Sequence, residues 1–202
     1  MIEKESRVLR IPWAPLVDAA TTYRRRACPR CSSHSFIMHQ KTWKSIKDLR
    51  LTRVQSVRMM CKRCGLVTRE YPPGIDGGRQ STRLQRLTVL LYCLGLSYYQ
   101  VRAVLADVRC ILSTTTIRRN VLASRLAEWR RPEEAGICSH EGPQVRLTLP
   151  VSAISLRLVD QSPRNSWLEL SFDPSTGFEL ARRARQSAEI LGLLPPESGQ
   201  PL

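Results

Sequence analysis

The sequence has few acidic residues, few aromatic residues and no long hydrophobic run. Its longest apolar stretch covers residues 89–96. That is well short of the roughly 20 residues that cross a bilayer, which argues against a membrane-spanning helix. The first residues, MIEKESRVLR, are charged where a secretory signal peptide would have its apolar core. We therefore expect a cytoplasmic protein, and a hydrophobic share of 42% is still enough to build a folded core.

The shortage of acidic residues leaves the chain strongly basic. It contains 32 Lys and Arg residues against 17 Asp and Glu residues, a net charge of +15. Residues 1–78 carry a net +10, residues 79–131 a net +8 and residues 132–202 a net −3. This asymmetry indicates a polyanionic partner for the first two thirds of the chain, and it favours nucleic acid. An ordinary solvated surface rich in Arg is the alternative interpretation.

Clusters of proline and glycine near residues 71–78 and 131–150 divide the chain. The stretches between them predict an α+β fold with a small β-rich cysteine segment, three helices and a β-hairpin. The predicted segments are an N-terminal segment of unassigned role at 1–23, the cysteine segment at 24–78, the helical segment at 79–131, a linker at 132–150, the hairpin segment at 151–191 and a flexible tail at 192–202.

Four of the seven cysteines form two C-x2-C pairs, Cys28 with Cys31 and Cys61 with Cys64. Each pair can present two thiolates from a tight turn, and two such turns complete the tetrahedral four-sulfur site typical of structural Zn²⁺. Gly65 follows the second pair, where the turn often needs a positive φ. A redox C-x-x-C normally lies in a βαβ unit that this sequence lacks. We therefore predict a zinc ribbon at 24–78, with two coincidental pairs of buried thiols as the alternative.

Residues 79–131 contain three stretches with apolar residues at helical spacing, each preceded by a capping residue. Ser81 precedes the first helix and Ser113 the third, while Ser97 and Gln100 fit a capping box before the second. The third helix is expected to bury one side, formed by Ile117, Val121, Leu122, Leu126 and Trp129.

The order of these helices predicts a helix-turn-helix whose third helix enters the major groove of double-stranded DNA. Arg pairs with guanine, Asn pairs with adenine, and the methyl group of Thr contacts thymine. A small helical bundle with a solvated Arg face is the alternative. The candidate DNA-contacting residues are Thr114, Thr115, Thr116, Arg118, Arg119 and Asn120 on the third helix, together with Arg79, Arg83 and Arg86 around the first.

The hairpin segment begins with two stretches, residues 153–159 and 168–172, in which apolar and polar side chains alternate. This alternation is typical of half-buried strands. A turn separates the two stretches, and a helix is expected over residues 179–191. Such a hairpin leaves unpaired sheet edges and is too small to be stable by itself.

The order of the three pieces resembles that of bacterial insertion-sequence transposases, which place a zinc ribbon and a helix-turn-helix before a DDE catalytic domain with an RNase-H-like fold. The resemblance extends over about residues 28–180. The stretches that carry it are the Cys28/Cys31 pair and residues 45–49, 57–64, 94–101 and 113–119, with a weaker likeness at 159–160 and 173–177.

In that family, three carboxylates hold two Mg²⁺ ions that act on a phosphodiester. Asp160 matches the first carboxylate, although an Asp that opens a turn is the alternative. The family's other two carboxylates come from elements much further along, so we expect that the triad cannot be completed within these 202 residues. The chain is then not an enzyme by itself, and Mg²⁺ enters only if another chain supplies a complete catalytic domain.

The resemblance therefore implies the DNA-binding part of a transposase-like protein, associated with the nucleoid, that recognises transposon ends and can form a homodimer. A stand-alone transcriptional regulator or inactive transposase remnant is one alternative. A subunit whose DDE site is completed by another chain is a second. RNA binding by the ribbon is not favoured, because the sequence offers no aromatic stacking motif.

Overall fold

The computed structural model describes residues 7–12, 27–49, 51–75, 77–107, 109–124, 126, 137–141, 144–148, 153–162, 165–172 and 174–194. Within these residues the chain is a mixed α+β protein with four helices and two antiparallel sheets, which confirms the predicted class. In this part of the chain no helix is both long enough and apolar enough to cross a membrane.

The secondary structure is numbered in chain order. The helices are α1 (Thr82–Cys93), α2 (Tyr98–Asp107), α3 (Thr114–Ala123) and α4 (Pro174–Ile190). The strands are β1 (Arg7–Pro12), β2 (Phe36–Ser45), β3 (Arg53–Cys61), β4 (Val67–Glu70), β5 (Ile137–Glu141), β6 (Gln144–Thr148), β7 (Ala153–Ser162) and β8 (Asn165–Phe172).

The chain divides into two compact units, which we call the ribbon unit (Leu16–Leu84) and the helical unit (Met1–Pro15 with Gln85–Leu202). The ribbon unit contains the sheet β2-β3-β4, and the helical unit contains the sheet β1-β8-β7-β6-β5. The division falls inside α1, after the predicted boundary at residue 78. The first residues of α1 belong to the ribbon unit because hydrogen bonds tie residues 79–83 to residues 47 and 48.

The ribbon unit has a small apolar core. Ile46, Val54 and Ile75 are buried together, and Leu51 and Tyr71 pack against them. The core is small because β2 carries mostly exposed side chains. A unit of this size buries too little apolar surface to be very stable, so interactions other than apolar burial matter for its fold.

A buried ion pair adds to that core. The side chain of Asp48 is fully buried, and it accepts hydrogen bonds from Arg83 Nε at 2.8 Å, from Arg83 Nη2 and from Ser81 Oγ. The amide of Leu51 donates to the same carboxylate at 3.1 Å. Ser81 also caps α1 as predicted, accepting from the Leu84 amide at 3.3 Å. The prediction that Arg83 contacts DNA is therefore corrected, because a buried carboxylate already pairs with its guanidinium.

The helix caps of the helical unit follow the sequence closely. Gln100 N donates to Ser97 Oγ at 3.3 Å, and Ser97 N donates to Gln100 Oε1 at 2.7 Å, which is the predicted capping box. Ser113 Oγ accepts from the Thr116 amide at 3.2 Å and begins α3. Both starts depend on hydrogen bonds between residues three apart in the sequence, so each could be predicted from a few neighbouring residues.

Residues with positive φ follow the ends of α1 and α2. Gly95 has φ +100° after α1, as its position predicts. After α2 the same role falls to Arg109, at φ +60°, with the Cys110 amide donating to Leu105 O at 2.8 Å. Arg109 thus adopts a left-handed conformation that glycine adopts more readily, and it lies in the turn between α2 and α3.

Helix α3 is shorter than expected. Ile117 and Val121 are buried, as predicted. Leu122 is 59% exposed, so its predicted burial is wrong. Its side chain points away from the side of the helix that Ile117 and Val121 bury. Leu126 is buried beyond the end of the helix, and Trp129 lies outside the described residues.

The second sheet is larger than the hairpin that the sequence predicts. Strands β7 and β8 form that hairpin, but β8 also pairs with β1 and β7 also pairs with β6. The segment at 1–23 therefore contributes a strand, and the predicted linker at 132–150 contributes β5 and β6. These partners occupy both edges of the hairpin, which satisfies backbone groups that an isolated hairpin would leave unpaired.

Helix α4 packs on this sheet. It contacts β1, β7 and β8, and Ala181, Ala184 and Ala188 are all buried. The helix begins earlier than the predicted residue 179 and ends one residue before the predicted 191. Most of the predicted tail, residues 195–202, lies outside the described residues.

Candidate metal centre and nucleic-acid interface

The ribbon unit brings together all four cysteines of the two C-x2-C pairs. Cys28 Sγ lies 3.6 Å from Cys64 Sγ, and Cys31 Sγ lies 3.6 Å from Cys61 Sγ. All four sulfur atoms lie within 4.8 Å of one another. Each short distance joins one pair to the other, so the two turns converge on a single point as predicted.

The two cysteine turns have the same backbone hydrogen bonds. In the first turn the Ser32 amide donates to Cys28 O at 2.8 Å, and in the second the Gly65 amide donates to Cys61 O at 2.9 Å. Each turn then closes into a short antiparallel contact, because the first cysteine of the pair donates its amide to the carbonyl five residues later. The two turns are therefore local copies of one structure, joined by β2 and β3.

A left-handed residue follows each pair. Gly65 has φ +71°, as its position predicts, and Ser32 has φ +54° at the equivalent place in the first turn. An added Cβ on Gly65 would meet nothing within 4 Å, so its glycine is needed for the backbone conformation alone.

The thiols differ in their affinity for protons. Burial raises the pKa of the Cys61 thiol, but amide N–H groups of Cys64 and Arg63 and the neighbouring thiols outweigh it and bring the pKa to about 6. The same balance lowers the pKa of Cys28. The Ser33 amide lowers the pKa of Cys31, yet burial and the three neighbouring thiols raise it to about 12. The raised pKa of Cys31 means that its thiol loses its proton at neutral pH only if a cation compensates the charge of the neighbouring thiols.

The arrangement fits a tetrahedral metal ion. Sulfur atoms placed about 2.3 Å from a central ion are about 3.8 Å apart at the corners of a tetrahedron, close to the 3.6 Å found for both short pairs. All four of these cysteines are free thiols, so no disulfide joins the two pairs. The four cysteines can thus hold a metal ion, and all four positions of a tetrahedron are filled by protein sulfur.

Helix α3 carries the second candidate site. Thr115, Arg118, Arg119 and Leu122 are exposed, and their spacing of i, i+3, i+4 and i+7 places them on one face of the helix. The opposite face is buried through Ile117 and Val121. We call these four exposed residues the α3 face.

The remaining predicted DNA-contacting residues of α3 are partly buried. Thr114 is half-buried. Thr116 is also half-buried, and its hydroxyl hydrogen-bonds with Ser113 at the start of the helix. Asn120 donates to Thr88 Oγ1 of α1 at 3.2 Å. Thr116 and Asn120 thus help to build the helix and hold it in place.

The three arginines around α1 differ in their exposure. Arg79 is exposed, Arg83 is buried against Asp48, and Arg86 is half-buried. Arg86 Nη1 donates to Gly192 O at 3.5 Å, at the end of α4, where a cation is favoured by the helix dipole. Only Arg79 of these three presents a fully exposed side chain.

Asp160, the candidate first carboxylate, lies in β7 opposite Ser166 of β8. The strand continues past it to Ser162, so Asp160 does not end the strand as the sequence predicts.

Sequence reasoning missed one feature of the ribbon unit. Trp43 is 62% exposed on β2, and the guanidinium of Arg53 lies 5.1 Å from the centroid of its ring. A tryptophan between polar residues in the QKTWKS stretch was the available signal.

Comparison of the whole chain with protein-family models, with curated proteins and with solved structures gave no significant match.

Proposed function

We propose that this chain binds double-stranded DNA through the α3 face and that the four cysteines hold one structural Zn²⁺ ion. The α3 face carries the DNA-binding part of this proposal. It presents two arginines and a threonine to solvent near the capped start of a helix that α2 supports. A helix of this kind fits the major groove, where its first turns reach base edges.

The side chains of the α3 face suit both the base edges and the phosphate backbone of DNA. Arg118 and Arg119 can pair with guanine or with phosphate, and the methyl group of Thr115 and the exposed Leu122 can contact thymine methyl groups. Helix α3 contains no acidic residue that would oppose a polyanion. The net charge of +15 adds a sequence-independent attraction for the backbone.

Zinc is the metal that this site favours. Four soft thiolates in a tetrahedron select Zn²⁺ or iron–sulfur chemistry, and a closed set of four protein ligands leaves no position for a substrate or water. The ion's role is then to stabilise the ribbon unit, whose apolar core is small.

The biological setting that we propose is the DNA-binding part of a transposase-like protein that recognises transposon ends. Its support is the resemblance in segment order together with the α3 face. Strand cleavage is not part of the proposal. A homodimer binding two half-sites would suit paired element ends.

The DNA-binding proposal is tested by selecting duplexes from a random library with the metal-loaded chain. The double variant Arg118→Ala/Arg119→Ala should weaken binding of the selected duplex by about 5–150-fold for each lost base contact, since one such contact contributes about 1–3 kcal/mol. Arg182→Ala, an exposed arginine of α4, is the matched control and should change affinity less than twofold. Unchanged affinity of the double variant would refute the α3 face as the interface.

The metal part is tested by elemental analysis of freshly reduced protein. We expect one zinc ion per chain, lost from a variant in which Cys31 and Cys64 are both replaced by Ser. Iron in place of zinc, or no metal at all, would refute this part of the proposal.

A further inference from the structure

An exposed indole lies on the sheet of the ribbon unit, away from the cysteines. Trp43 is on β2, opposite Gln55 of β3 and several residues from the metal end of the strand. Its 62% exposure is unusual for a large aromatic residue on a sheet. The core cluster of Ile46, Val54 and Ile75 does not include Trp43.

Cations surround this indole on the same face. Arg53 is diagonal to it across the strand pair, with its guanidinium 5.1 Å from the ring centroid. Lys41 lies two residues before it on β2, hence on the same face, and is exposed. We call Lys41, Trp43 and Arg53 the indole patch.

The charge of the surrounding unit points to an anionic partner. Described residues 27–84 contain 11 Lys and Arg residues and two acidic residues, Asp48 and Glu70. The buried pair with Arg83 already neutralises Asp48. The indole patch is therefore an aromatic platform in a strongly positive surface.

We propose that the indole patch binds single-stranded DNA, with Trp43 stacking on an unpaired base and the neighbouring cations contacting the phosphates. Bases within a duplex already stack on one another, so an exposed ring gains most from a base that is unpaired. This inference rests on the proposed function, since it takes DNA as the ligand of the chain. In this proposal the indole patch binds single-stranded DNA, whereas the α3 face binds double-stranded DNA.

The test measures the affinity of the full metal-loaded chain for a 15-nucleotide oligo-dT and for the selected duplex, by fluorescence anisotropy at fixed salt. Trp43→Ala should weaken oligo-dT binding by about 5–150-fold, the range for one lost base–aromatic stack. Trp43→Phe should restore most of this affinity because it keeps a stacking ring. Duplex affinity should stay within twofold in both variants.

Two controls separate this proposal from the previous one. Tyr99→Ala removes another exposed aromatic ring, from α2, and should leave oligo-dT affinity unchanged. Arg118→Ala/Arg119→Ala should weaken duplex binding while oligo-dT binding persists, so failure of the α3 face and failure of the indole patch give different results. Zinc content is measured for each variant, and Trp43→Phe provides the comparison if Trp43→Ala loses metal.

Three results would overturn the inference. The first is oligo-dT affinity that stays within twofold in Trp43→Ala. The second is equal weakening of oligo-dT and duplex binding by that variant. The third is a change in oligomeric state with no change in DNA affinity, which would make the indole patch a contact between copies of the chain.

Discussion

Replacement of Asp48 by Ala should be among the most destabilising single changes in the ribbon unit. The Asp48 side chain is fully buried and receives hydrogen bonds from Arg83, Ser81 and the Leu51 amide. Its removal leaves the guanidinium of Arg83, whose side chain is only 7% exposed, without its counter-charge. Breaking a buried pair in this way typically costs about 3–5 kcal/mol.

A double variant allows this magnitude to be assigned to the pair. In Asp48→Ala/Arg83→Met both charges are gone, so the desolvation cost disappears with the attraction. What remains is the loss of the hydrogen bonds to Leu51 and Ser81, about 1 kcal/mol each. We therefore expect the double variant to be less destabilised than Asp48→Ala alone, with a coupling free energy of about 1–3 kcal/mol.

The assay is urea-induced release of the proposed zinc ion to a chromogenic chelator, because the four candidate ligand cysteines lie in the same unit as the ion pair. Glu70→Ala is the control, since it removes a carboxylate that is only half-buried on β4, and should change the free energy of unfolding by less than about 0.5 kcal/mol. Strictly additive effects of Asp48→Ala and Arg83→Met, or a loss below about 1 kcal/mol for Asp48→Ala, would refute the reasoning.

Two further predictions concern the cysteine turns. Gly65→Ala should destabilise the ribbon unit by about 1–2 kcal/mol, because an alanine is strained in the left-handed backbone conformation of this residue. Gly77→Ala is the control and should be near neutral, since an added Cβ there also meets nothing within 4 Å and the residue has no positive φ. Equal effects of the two variants in the metal-release assay would contradict the explanation by backbone conformation. The pKa of Cys61 is about 6 instead of 9.0, so the stabilisation of its thiolate is lost as pH falls through about 6. Bound metal should resist protonation further, so we expect metal release only below about pH 6, and release beginning near pH 8 in a pH titration with the chelator would argue against thiolate ligation.

Several features could be predicted because their signals are local. The four cysteines are brought together by two turns of identical spacing, and β2 and β3 pair antiparallel to join those turns. The capping residues Ser81, Ser97 and Ser113 each act on an amide three residues away. Gly65 and Gly95 have the positive φ that their positions indicate.

Other features could not be predicted because they depend on partners distant in sequence. Arg83 is indistinguishable from Arg79 in the sequence, yet it lies beside a carboxylate 35 residues earlier in the chain. Asn120 looks suited to read adenine, but it contacts Thr88 of α1. The Trp43–Arg53 pair arises only when β2 and β3 align.

The sequence by itself therefore determined the candidate metal-ligand set, the capped starts of α1, α2 and α3, and the β7–β8 hairpin, since these depend on spacing and backbone preference over a few residues. Only the tertiary structure decided that residues 7–12 complete a sheet with β8, that β5 and β6 extend it on the other side, and which arginines stay exposed. The physical reason is that backbone groups at strand edges need hydrogen-bond partners and buried charges need counter-charges. Those partners come from residues that are distant in the sequence and become neighbours only in the folded chain.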